Sequence, residues 1–147
     1  MIKLRNLSVL TLLVVAACGD AAGPGTTTPP VTTNPVGDQV IGDDGIVWRV
    51  VTPTGTALNP QPISEAQVIS IEENVVALGI YMGVEPCSVI DGVEIDETAD
   101  AVDIQIFAGT GDPAATCIAI AEARAVVMVL DAPLGDRALT LSGAPLA

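Results

Sequence analysis

This 147-residue sequence predicts an all-β fold: a small antiparallel β-sandwich of about seven strands, held by one disulfide. Two observations carry that expectation. Apolar residues alternate with polar ones at period two, most clearly where Val93 and Ile95 alternate with Glu94 and Asp96 and where Val102, Ile104 and Ile106 alternate with Asp103 and Gln105. Turn signals punctuate the chain every several residues, and short strands broken in this way are typical of sandwiches. Half the residues are hydrophobic, but Trp48, Tyr81 and Phe107 are the only aromatics. The core is therefore expected to be aliphatic.

Element by element, 46–52 is a β-branched run around Trp48, bounded by Asp43-Asp44-Gly45 and Pro53. Its apolar setting points Trp48 into the core rather than to an exposed anchor site. Residues 67–71 and 75–82 read as two strands joined at Glu72-Glu73-Asn74. The alternating runs in 93–96 and 102–106 form the clearest hairpin, turning at 98–100. Asp91-Gly92 suits either a tight turn or a bulge, and a bulge within one strand is the preferred reading. After a Gly/Pro loop at 109–116, residues 117–124 permit a helical turn as easily as a strand. Residues 125–130 are apolar on both faces, so that strand is expected to be central and covered on both sides. Pro133-Leu134-Gly135-Asp136 then turns into a last strand, 137–141.

The first quarter of the chain reads differently. Lys3 and Arg5 precede an apolar run, 7–17, that is too short to span a bilayer as a permanent helix and has the layout of an export signal. The run ends in Val15-Ala16-Ala17-Cys18, which resembles the lipobox of bacterial lipoproteins. The resemblance implies cleavage before Cys18 and its acylation, with palmitate among the attached chains. Residues 19–37, rich in Thr, Pro and Gly, have no apolar periodicity and read as a disordered tether. Extended at about 3 Å per residue, it would reach roughly 60 Å from the bilayer. The expected organisation is thus a signal peptide at 1–17, an acylated Cys18 with its linker at 18–37, and a sandwich domain at 38–147. The location is extracytoplasmic, anchored to the cell membrane by lipid. Gly19 follows Cys18 and Asp20 comes one place later, so an Asp immediately after the cysteine, the usual inner-membrane retention signal, is absent. Which membrane of a two-membrane cell would hold the chain is left open.

Export would place Cys87 and Cys117 in an oxidising compartment as the only thiols left, and a single disulfide is the economical pairing. A zinc site would want more ligands, and the chain has no His. From Cys87 onward, the order of paired strands, Cys117, Arg124-Ala125-Val126, a Val-rich strand and Pro133-Leu134-Gly135-Asp136-Arg137 resembles a domain found in predicted secreted proteins of high-GC Gram-positive bacteria. That resemblance implies compartment and fold and brings no activity with it.

Charge and chemistry narrow the function. Beyond the signal peptide, three arginines face 18 acidic residues, a mature charge of −15 that opposes binding to nucleic acid or anionic lipid. Without His, neither a Ser/His/Asp triad nor a Cys/His pair can be assembled. A carboxylate-based hydrolase would lack aromatics to line its cleft, and no catalytic residue is assigned. Gly109-Thr110-Gly111-Asp112 echoes a phosphate loop but lacks the following Lys, and reads as a turn. Glu94, Asp96, Glu97, Asp100 and Asp103 crowd one hairpin and offer the oxygen ligands calcium takes, although no EF-hand spacing is present. A solvated hairpin is the simpler reading. Asp38, Asp43 and Asp44 near Gly45 make a second, weaker acidic group. Arg124 and Arg137, as scarce cations, are expected to pair with nearby carboxylates. The leading expectation is a non-enzymatic module that binds a protein or cell-wall partner, with a calcium-dependent adhesion module as the alternative.

Overall fold

The computed structural model describes residues 38–146. The expected acylation site, Cys18, with the signal peptide and tether, lies outside them. Ten strands and no helix appear among the described residues: β1 (Gln39–Ile41), β2 (Val47–Val50), β3 (Leu58–Pro62), β4 (Gln67–Glu72), β5 (Val75–Gly83), β6 (Val89–Glu97), β7 (Ala101–Thr110), β8 (Ala121–Val129), β9 (Ala138–Leu141) and β10 (Ala144–Pro145). They form two sheets. The first runs β1-β2-β8-β5-β4; the second runs β10-β9-β7-β3, with β6 on the other side of β7. β9 pairs with Ala101–Ile104 and β3 with the far end of β7, so the two share one edge of that strand.

The long antiparallel pairs follow the alternation seen in the sequence. β6 and β7 run in register from Glu97↔Val102 to Val89↔Gly109, with the expected bulge between Ile90 and Gly92. Thr98 turns this hairpin, its hydroxyl accepting from the Ala101 N–H. β5 and β8 pair over nine residues, from Val75↔Val129 to Gly83↔Ala121. As expected, β8 is central in its sheet, with Ala125, Val126 and Met128 buried. Residues 117–120 form an irregular segment ahead of β8, neither helix nor strand.

One expectation is corrected. The sheets are mixed rather than purely antiparallel, because β2 pairs in parallel with β8 and β9 in parallel with β7. After β8 the chain crosses to the other sheet through the 131–137 turn, so β9 arrives running in the direction of β7. The N-terminal hairpin β1–β2 adds to the edge of β8 that β5 leaves free.

The main core lies between the sheets. Val76, Leu78 and Ile80 of β5, with Val126 and Met128 of β8, face Val93 of β6 and Val102, Ile104 and Ile106 of β7. A second cluster covers the opposite face of the first sheet, where Trp48 packs with Ile69, Ala77 and Ala125. Register explains this face: Gly79 pairs with Ala125, and Ala77 lies two residues along the same face of β5, so the positions under the indole are small. A Cβ on Gly79 would lie 2.7 Å from Trp48 Cζ3, closer than real contacts allow, so only glycine admits the ring. Trp48 is fully buried, 4.9 Å from the Tyr81 ring, and its indole N–H has no hydrogen-bond partner among the described residues. Both clusters are built from residues within 40–146, so the domain carries its core with it.

Candidate functional site

The five carboxylates of the β6–β7 hairpin do not converge. Glu94, Asp96 and Asp103 share the solvent face of the second sheet, Asp96 directly opposite Asp103, a like-charge pairing that opposes the strand contact. Asp103 is relieved by two donors, the Thr140 hydroxyl and the Gly143 N–H. Glu97 points to the other face and is engaged, accepting from Arg137 Nη1 at 2.7 Å and from the Asp131 N–H at 2.6 Å. Asp100 sits in the turn. No group of three or more acidic or thiol side chains among the described residues is arranged to hold a metal ion. The crowding in sequence therefore does not become a calcium cradle: Glu97 turns to the opposite face and is held by Arg137 and the Asp131 N–H, and Asp103 is held by Thr140 and Gly143, which leaves Glu94 and Asp96 on the solvent face.

The second acidic group, Asp38, Asp43 and Asp44, forms no metal-holding cluster among the described residues either. Asp44 accepts from the Ile46 N–H and closes the β1–β2 turn. The Gly109-Thr110-Gly111-Asp112 segment ends β7 and then turns, with the N–H groups of Gly111 and Asp112 both donated to the Pro86 carbonyl. Those donors are thereby taken from any phosphate.

The arginines hold the two ends of the sandwich. At one end Arg137 donates to Glu97 and to the carbonyls of Ala132, Pro133 and Leu134, pinning the turn between β8 and β9. Burial pushes the Glu97 carboxyl up, but the Arg137 guanidinium and the Asp131 N–H outweigh it and leave the group below its ordinary value. At the other end Arg124, fully buried, donates to the Ser88 carbonyl at 2.8 Å and to Glu122. Arg49 donates to Glu85 and Glu122, and Arg124 also lies 3.6 Å from Glu85, so two arginines and two glutamates form one network. The expected pairing of Arg124 and Arg137 with carboxylates is present. Arg49 was not foreseen as their companion; its parallel register opposite Arg124 is invisible in sequence.

Beside this network Cys87 and Cys117 form the expected disulfide, with Cα atoms 5.7 Å apart. It fixes the irregular segment ahead of β8 to the turn ahead of β6. On that segment Ile118 and Ile120 are more than half exposed. The sequence pattern of 117–124 suits a helical turn or a strand equally and does not signal this exposure.

No family model matches the chain, and neither a curated protein nor a solved structure matches it.

Proposed function

We propose that the chain is a lipid-anchored, extracytoplasmic binding protein that engages a protein or cell-envelope partner through its disulfide-bonded β-sandwich. The observation that carries this reading is the sequence Val15-Ala16-Ala17-Cys18 followed by a Thr/Pro/Gly-rich tether and one small domain. Acyl chains on Cys18 would supply membrane affinity, each buried methylene contributing about 0.8 kcal/mol, and leave the domain's own surface for other contacts. The Cys87–Cys117 bond supports export, since such bonds persist in oxidising compartments. A binding role fits better than catalysis because the chain has no His, and Glu97, whose carboxyl is held below its ordinary value, is locked to Arg137.

Palmitate labelling of the whole chain in a bacterial host tests the anchor. Label and membrane association are expected for the native chain and lost in Cys18→Ser; equal labelling of both would refute it. Crosslinking and recovery of the native chain from membranes tests the binding role, and the absence of any enriched partner would count against it.

A further inference from the structure

Six of the seven large apolar side chains left exposed among the described residues, Ile41, Val47, Leu58, Tyr81, Ile118 and Ile120, lie at or toward one end of the sandwich. Strand register establishes this. Gly83 pairs with Ala121, so β5 ends where β8 begins, and Tyr81 is two residues away. Leu58 pairs with Thr110, where β7 ends beside the start of β6. Ile41 pairs with Val47, and β2 runs parallel to β8 through Arg49↔Arg124, which places its first residue level with the start of β8. The seventh, Ile71, lies near the β4–β5 turn at the opposite end.

We propose that this disulfide-stapled end is a docking surface for a protein partner that presents an apolar patch edged by lysine or arginine. The proposal rests on the binding reading above and names the surface and the chemistry of its occupant. Exposed apolar side chains gathered in this way mark contact sites, whereas scattered ones need no explanation. The end is also pre-organised. Cys87–Cys117, the two N–H groups donated to Pro86 and the Arg124 bond to Ser88 hold its loops, so little ordering entropy is lost on binding.

Charge selects the occupant. Five carboxylates against two arginines lie at this end: Asp43 and Asp44 in the β1–β2 turn, Asp112 just after β7, and Glu85 and Glu122, to which Arg49 and Arg124 are already bound. A second copy would set the same acidic groups against themselves, and an anionic membrane would be repelled; a basic-edged protein meets complementary charge. Asp38, the first described residue, stands ahead of β1 at the strand end away from Ile41.

The test uses the chain from Gly19 to Ala147, which keeps the tether and both cores, and a variant carrying Ile118→Ser and Ile120→Ser. Both side chains are exposed, so the variant is expected to melt with the native chain, which controls for folding. The probes are a labelled peptide of alternating Leu and Lys, and one of equal length and charge with Ser for Leu. At physiological ionic strength the Leu/Lys peptide is expected to bind the native chain at least tenfold more tightly than the Ser/Lys peptide, with amide shifts around Ile118 and Ile41, and to lose at least tenfold on the variant. Equal binding of the two peptides, or of the Leu/Lys peptide to both chains, overturns the proposal. So does retention of the native chain on zwitterionic vesicles, or a dimer in sedimentation that the variant abolishes. A membrane partner recovered equally by native and variant full chains overturns the surface while leaving the binding reading intact; recovery of none by the native chain overturns the binding reading itself.

Discussion

The contact between Trp48 and Gly79 makes a quantitative demand on stability. In an ordinary strand, Gly→Ala removes backbone entropy from the unfolded chain and is favourable by about 0.5–1 kcal/mol. At Gly79 the added methyl would stand 2.7, 2.8 and 2.9 Å from three atoms of the indole, and the ring cannot retreat freely because it is fully buried and backed by Tyr81. Overpacking of this kind costs about 1–3 kcal/mol, which exceeds the propensity gain. Gly79→Ala is therefore expected to destabilise the domain by about 1–2 kcal/mol net. Trp48→Ala should cost about 3–5 kcal/mol by itself. In that background the clash is gone, and Gly79→Ala should become neutral or stabilising. Urea denaturation of the four proteins by circular dichroism, at unchanged m, closes the cycle. The sole tryptophan adds a local readout, since its emission should shift to the red in Gly79→Ala as the ring is displaced toward water. Equal or greater stability of Gly79→Ala beside Trp48, or the same penalty without it, would refute the packing account.

Four further outcomes follow from the same geometry. Replacing Cys87 and Cys117 by Ser opens a loop of 30 residues, and the chain-entropy model expects a loss of about 3.5 kcal/mol, read as a lower urea midpoint. Glu97→Gln should cost about 1.5–3 kcal/mol at neutral pH through its charge-assisted bonds to Arg137 and Asp131. Because the folded carboxyl lies below its ordinary value of 4.5, its contribution is fully present above that value and is lost as the pH falls through the lowered one. Melting curves of the native and Gln chains should therefore converge in acid, and a gap that widens there would contradict the assignment. Arg124→Ala should cost about 3 kcal/mol, whereas Arg124→Met, which keeps the aliphatic stem while Glu85 and Glu122 stay hydrated, should cost less than half of that in the same denaturation assay. Millimolar calcium should leave the melting midpoint of the domain unchanged; a rise of several degrees would show native-state binding that the dispersed carboxylates do not foresee.

What was legible in the sequence was whatever period two could write. The β6–β7 hairpin and the double-sided burial of β8 are visible because side chains on those strands alternate, or fail to alternate, against a core, and the bulge because Asp91-Gly92 sets a turn dipeptide inside a strand. β3 escaped because Pro60 and Pro62 argue against a strand; it survives as an exposed edge paired to the end of β7. β1 and β10, with three and two residues, are too short to show a period. The parallel pairs were beyond reach since direction is set by where the chain crosses between sheets, which no local pattern records. Trp48 was placed inside correctly, but its cradle needed Gly79, Ala77 and Ala125 to align across β5 and β8, a fact of register. In the acidic hairpin, read most simply as a solvated surface, Glu94, Asp96 and Asp103 do share one face, but the engagement of Asp103 by Thr140 and Gly143 and of Glu97 by Arg137 comes from segments distant in sequence that the hairpin's own pattern does not record.

The scarcity of cations and the exposure of one end have a common consequence. All three arginines of the described residues are tied to carboxylates, Arg137 at one end of the sandwich and Arg49 with Arg124 at the other. Arg124 and Arg137 also bind backbone carbonyls, so they serve to hold loops. The remaining carboxylates then generate a negative field with no arginine left free to offset it, which slows the approach of polyanions and favours positively charged partners. Such a field steers encounters but gives modest affinity, because exposed ion pairs contribute little and are screened at physiological salt. Affinity has to come from apolar area, and large exposed apolar side chains are concentrated at the end that the disulfide holds rigid. Attraction by the whole surface and retention by that end are separable. Raising salt should slow association of a basic partner without releasing it once seated, whereas polar substitution at Ile118 and Ile120 should speed its release and leave the rate of encounter unchanged.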